Sequence, residues 1–150
     1  MWTYELWPTQ IFEWSWISLV TLVLVSAAYF DLKSRTIPNK LSLGGLLIMA
    51  LYLWVFPAFP ITEHLLGLLI GSIIFYSLFL LKVFGGGDSK LLIFVSLSFG
   101  APLLISVWLW IFIIGGLQAL FWRIFFKQKS MPYALSIALG SLFYILSSYL

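Results

Sequence analysis

The chain has 150 residues, 63% of them hydrophobic and only 9% charged, and its mean hydropathy is +1.10; these values exclude an ordinary soluble globular domain and indicate an integral membrane protein. The formal charge of +3 gives no case for nucleic acid, because the basic residues flank apolar runs, where they anchor helices and meet anionic lipid headgroups. Cysteine is absent, which removes disulfides, thiolate catalysis and cysteine-ligated zinc together.

The opening stretch MWTYELWPTQIFEW holds glutamates and no basic region, so no cleaved signal peptide is expected. A first helix is predicted over residues 12–31, with Trp2, Trp7, Trp14 and Trp16 at its outer end as an interfacial belt and Ser26, Ala27 and Ala28 lining the approach to Asp31. In the basic loop that follows, Pro38 biases Ile37 away from helix and, with Asn39, sets a turn before a second helix over 41–56. Trp54 lies near the outer end of that helix.

Glu63 and His64, the only histidine, are assigned to the outer loop, His64 as a solvated residue. The third helix, 63–81, carries Gly67 and Gly71 as a G-x-x-x-G packing motif. Then comes FGGGDSK, where Gly85, Gly86 and Gly87 can take positive φ and admit a close backbone before Asp88. A fourth apolar run, 89–100, reaches only about 18 Å at about 1.5 Å per residue, against about 30 Å of hydrocarbon. It either extends through its flanks or is a partial helix buried by neighbours. Helices over 102–122 and 132–149 complete the chain.

If all six runs cross, Lys33, Arg35, Lys40, Lys82, Lys90, Arg123, Lys127 and Lys129 fall on one side and Glu5, Glu13 and Glu63 on the other. A re-entrant fourth segment would break that pattern. The expected fold is therefore an all-α polytopic bundle of about six transmembrane helices, both termini outside, with residues 1–150 as one membrane-embedded domain.

This topology puts Asp31 and Asp88, the only aspartates, at the inner ends of the first and fourth helices. Each has a bland reading: Asp31 as a juxtamembrane acid paired with Lys33 or Arg35, and Asp88 or Ser89 as a helix N-cap. Sharing one depth favours a joint role. Elimination narrows the chemistry, since a lone distant His64 gives neither a Ser-His-Asp triad nor a zinc site, and the glycine run lacks P-loop spacing. Two carboxylates within about 4 Å repel by about 4 kcal/mol at an effective dielectric of 20. One is then held protonated while the other stays charged, and a water between them can be activated against a peptide carbonyl. That chemistry requires no metal and no cofactor.

Three segments carry a resemblance: D31-L-K-S-R-T-I-P-N39, F84-G-G-G-D88-S-K-L and M131-P-Y-A-L-S-I-A-L-G140. Together and in this order they resemble the type IV prepilin peptidase family, and the compact size looks most like its tight-adherence-pilus branch. The resemblance implies an intramembrane aspartic endopeptidase of the bacterial inner membrane that removes the basic leader of prepilins at the cytoplasmic face, with pilus or secretion machinery as further partners. It makes Asp31 and Asp88 the catalytic pair and Gly85 and Gly87 the glycines of G-x-G-D. Lys33, Arg35, Pro38, Asn39 and Lys90 match positions around them; the expectation that the bases bind substrate or tune the acids is tested by charge reversal of Lys33 or Lys90. Larger members of the family also methylate the new pilin N-terminus and carry a cysteine-containing insertion, so peptidase activity alone is expected here. Three other readings stay open: another G-x-G-D protease of the presenilin type, although Tyr29-Phe30-Asp31 and P-Y-A-L differ from its motifs; a Ser/Lys peptidase using Ser89; and a carrier or inactive assembly component using the same acids.

Overall fold

The computed structural model describes residues 10–57, 60–125 and 131–149, and these form an all-helical bundle: α1 (Gln10–Ser34), α2 (Asn39–Val55), α3 (Ile61–Leu80), α4 (Gly86–Phe99), α5 (Leu104–Phe125) and α6 (Tyr133–Tyr149), with a 3₁₀ turn at Ala101–Leu103 before α5. Local sequence explains the boundaries. Glu13 in the first turn of α1 and Lys33 in its last oppose the helix dipole at each end, and α1 stops where Arg35 turns to φ 55, its N–H still bonded to Asp31 O at 3.0 Å. Pro38 and Pro60 stand immediately before α2 and α3, where a fixed φ and a missing N–H cost nothing. Gly100 ends α4 at φ 70, a left-handed conformation that an L side chain rarely adopts.

Contacts between the ends show that successive helices alternate in direction. At one end Ser15 of α1 bonds Tyr52 of α2 through their hydroxyls at 2.7 Å. There Trp16 meets Phe99 of α4 edge to face with centroids 5.0 Å apart, and Phe99 meets Tyr144 of α6. The other end gathers the close of α1, the starts of α2, α4 and α6, and the close of α5. The described basic residues Lys33, Arg35, Lys40, Lys82, Lys90 and Arg123 therefore lie toward the aspartate end, and Glu13 and Glu63 in the first turns of α1 and α3 toward the opposite one. Glu5, Lys127, Lys129, Trp2 and Trp7 lie outside the described residues.

α4 is the hub. Although short, it packs against all five other helices, and Ser89, Leu91, Leu92 and every residue from Phe94 to Phe99 are buried. Two of its three buried hydroxyls bond back one turn, Ser96 Oγ to Leu92 O at 2.7 Å and Ser98 Oγ to Phe94 O at 2.8 Å. Around it, Leu22, Leu47, Leu69, Ile105 and Leu117 point outward, exposed, the surface a bilayer rather than water would cover. Three helical segments, Glu13–Ser34, Ile61–Leu80 and Ala101–Phe125, are long and apolar enough to cross a membrane, and Asn39–Val55 and Tyr133–Ser148 are shorter apolar helices. The chain is an integral membrane protein.

Two expectations are corrected. His64 is not a solvated loop residue: it is fully buried in α3, and its Nδ1–H donates to Leu97 O at 2.9 Å. Trp16 belongs to the core, whereas Trp14 and Trp54 are 62% and 76% exposed, the geometry of an interfacial belt.

The Gly67/Gly71 face of α3 lies directly on α4, where a Cβ at Gly67 would come within 2.5 Å of Ser96 O and one at Gly71 would collide with Ser96 Oγ. Gly67→Ala is expected to lower stability by about 1–3 kcal/mol. Gly116→Ala, whose Cβ meets nothing within 4 Å, should be neutral or slightly stabilising. Denaturation of both variants in detergent micelles checks this, and equal midpoints would refute the close α3–α4 contact.

Candidate active site

Asp31 lies within the last turns of α1, 7% exposed, and its Oδ2 accepts the N–H of Ala134 at 3.0 Å. That amide is available because the first four N–H groups of a helix have no partner within it, and Ala134 is the second residue of α6. The preceding Pro132 has no N–H to compete. The carboxylate thus sits on the positive end of α6, a favoured place for an anion.

Asp88 is the third residue of α4, and the N-cap is Gly85, extended at φ −67, ψ 153. The Asp88 carboxyl folds back onto the Gly85 backbone N–H, the return half of a capping box. Neither Asp88 nor Ser89 is the N-cap, because the helix begins three residues before 89. The glycines are used for proximity rather than for positive φ, Gly100 being the glycine with that conformation among the described residues. A Cβ at Gly85 would lie 3.1 Å from Asp88 Oδ2, at Gly86 3.3 Å from the Phe79 ring, and at Gly87 3.1 Å from Ile37 Cβ.

Fifty-seven positions apart in sequence, the two acids come to the same end of the bundle, where the charge of Asp31 reaches the Asp88 carboxyl. The Tyr133 hydroxyl is within electrostatic reach of Asp88, its ring lying against Phe84 with centroids 5.1 Å apart and against Gly115. Three helices thus converge: α1 with one acid, α4 with the other, and α6 with an amide and a phenol.

The flanking residues divide. Lys90 Nζ donates to Asn39 Oδ1 at 2.6 Å, and Ile37 seats on Gly87, so the I-P-N turn is docked on the first two turns of α4. Pro38 is the N-cap of α2. Lys33 Nζ lies 5.7 Å from the centre of the Tyr29 ring, and Arg35 occupies the exposed turn beyond α1. Reading the sequence placed Tyr133, Ala134 and Ser136 in the third family-like segment without giving any of them a role, and did not single out Gln118. The signal for Gln118 was its position as the one amide side chain in the largely apolar α5; Ala134 contributes only its backbone, to which no side-chain chemistry points.

Residues 18–120 match the model of the type IV leader peptidase family. No curated protein and no solved structure matches the chain. The matched segment includes Asp31, Asp88 and Gln118 and ends before Pro132.

Proposed function

The chain belongs to the type IV leader peptidase family, a family of peptidases, and from that premise we propose an aspartic endopeptidase in which Asp31 and Asp88 act on one water. The observation that carries this reading is their convergence from α1 and α4, each carboxyl held by a backbone N–H at a helix start. In the reactive form the pair shares one proton. The charged member takes a proton from water as its oxygen bonds to the scissile carbonyl carbon, while the protonated member gives its proton to the carbonyl oxygen. Collapse of the tetrahedral species breaks the C–N bond, and the leaving amine takes a proton from the first acid.

We further assign as substrate a prepilin or pilin-like precursor, whose apolar segment lies in the membrane and presents its leader junction at the aspartate end. The charge asymmetry between the two ends supports a cytoplasmic aspartate end, an inner-membrane location and six crossings. Without cysteine in the chain, leader cleavage without N-methylation is the assigned activity. The short tight-adherence branch is the assigned subfamily.

The test is cleavage of a candidate prepilin by wild type, Asp31→Asn and Asp88→Asn in membranes. Ser89 separates this mechanism from a Ser/Lys one: its hydroxyl is buried without a hydrogen-bond partner, and Lys90 is turned to Asn39. Ser89→Ala is therefore expected to keep cleavage within about twofold of wild type, since a nucleophile or its base would cost far more; loss of cleavage in this variant would sink the two-aspartate mechanism.

A further inference from the structure

The start of α6 lies beyond the segment matched to the family, yet it supplies the hydrogen bond on Asp31. A single side chain of α5 bonds it on both sides. Gln118 Nε2 donates to Pro132 O at 2.9 Å, and Gln118 Oε1 accepts from Ser136 Oγ at 2.8 Å. Pro132 and Ser136 stand on either side of Ala134, so one amide grips both flanks of the peptide whose N–H reaches Asp31 Oδ2 at 3.0 Å. The orientation of the amide is fixed by chemistry: a carbonyl can only accept, so nitrogen faces Pro132 and oxygen faces the Ser136 hydroxyl.

The same stripe of α5 continues the grip. Gly115, one turn before Gln118, lets the Tyr133 ring lie on the helix, since a Cβ there would be 3.2 Å from Tyr133 Cε2. Ile111, a further turn back, has its backbone against Gly140, where a Cβ would come within 2.5 Å of Ile111 Cα. Positions 111, 115 and 118 share one helical face, and that face is shaped to α6. An amide in an apolar helix costs free energy unless both its ends are bonded, and here both are spent on α6.

We propose that Gln118 is a positioning residue for Asp31, holding the start of α6 where the Ala134 N–H meets the carboxylate. The geometric part stands by itself; its effect on rate rests on the aspartic peptidase reading. Gln118→Leu removes the grip with little harm to folding, because the freed Ser136 hydroxyl can bond back to Pro132 O one turn earlier.

Two readouts test the proposal. In micelles, the ¹⁵N–¹H resonance of Ala134 in alanine-labelled protein reports its hydrogen bond, with Asp31→Asn as the reference for a changed acceptor. Gln118→Leu is expected to shift that resonance, and to lower kcat about tenfold with KM within twofold, because the reacting acid and not the substrate contact is displaced. Ser136→Ala, which loses only the brace on Oε1, should give a smaller shift in the same direction and serves alone if Gln118→Leu does not fold. An unmoved Ala134 resonance in these variants overturns the proposal, and so does a moved resonance with unchanged kcat. Absence of cleavage by wild type counts against the peptidase reading, and the resonance then still decides the positioning.

Discussion

Asp31→Asn and Asp88→Asn are each expected to lower leader cleavage by about 10³-fold or more, the scale of losing a positioned acid or base, while both proteins reach the membrane at wild-type levels. The structure gives a reason to expect folding to survive. An asparagine at 31 still offers an oxygen to the Ala134 N–H, and one at 88 still offers an oxygen to the Gly85 N–H, so both bonds now made by the carboxyls are kept. Only the exchangeable proton and the charge are lost. Removing one acid also relieves the mutual repulsion, so thermal stability should hold or rise slightly. The double variant should be no slower than either single one, because the pair acts as a unit. Wild-type cleavage by either single variant would reject the paired mechanism.

The helices were legible because apolar runs are long compared with the breaks between them, and because charge alternates between the ends. The register of α4 was less so: Gly86 and Gly87 have poor helix propensity, and the sequence offers no hint that they are helical because Phe79 and Ile37 press on them. His64 was misread through its neighbour Glu63. Its position on the His64, Gly67, Gly71, Phe75 stripe, all buried on the α4 side of α3, was the available signal, since spacing of three and four residues marks one helical face. Trp16 was misread because an interfacial belt and a core residue near a helix end look alike in sequence. The two aspartates stood out as rare acids, whereas the amide of Ala134 could not, since any non-proline residue carries one.

The second large effect is expected at a residue that has no side chain to offer either acid. Gly87 is the second residue of α4, immediately before Asp88, and an added Cβ would stand 3.1–3.3 Å from Cβ, Cδ1 and Cγ1 of Ile37. Ile37 cannot simply swing away. It precedes Pro38, which restricts its backbone, and the same turn is tied to α4 by the Asn39–Lys90 bond of 2.6 Å. Gly87→Val must therefore drive the start of α4 and the I-P-N turn apart, moving Asp88 relative to Asp31, and a displacement near 1 Å costs about 10²-fold in rate. Ile37→Ala removes the outer carbons of the contact and leaves Gly87 and Lys90 in place, so alone it should weaken packing with little change in cleavage. Combined with Gly87→Val it makes room for the valine branches, and the double variant should regain about tenfold of the lost rate, a coupling of about 1–2 kcal/mol between contacting residues. Cleavage rates of the four proteins decide it: additive losses would show that Gly87 matters for some reason other than the seat it provides for Ile37, and with that the docking of the first motif on the second would lose its role in holding the two acids together.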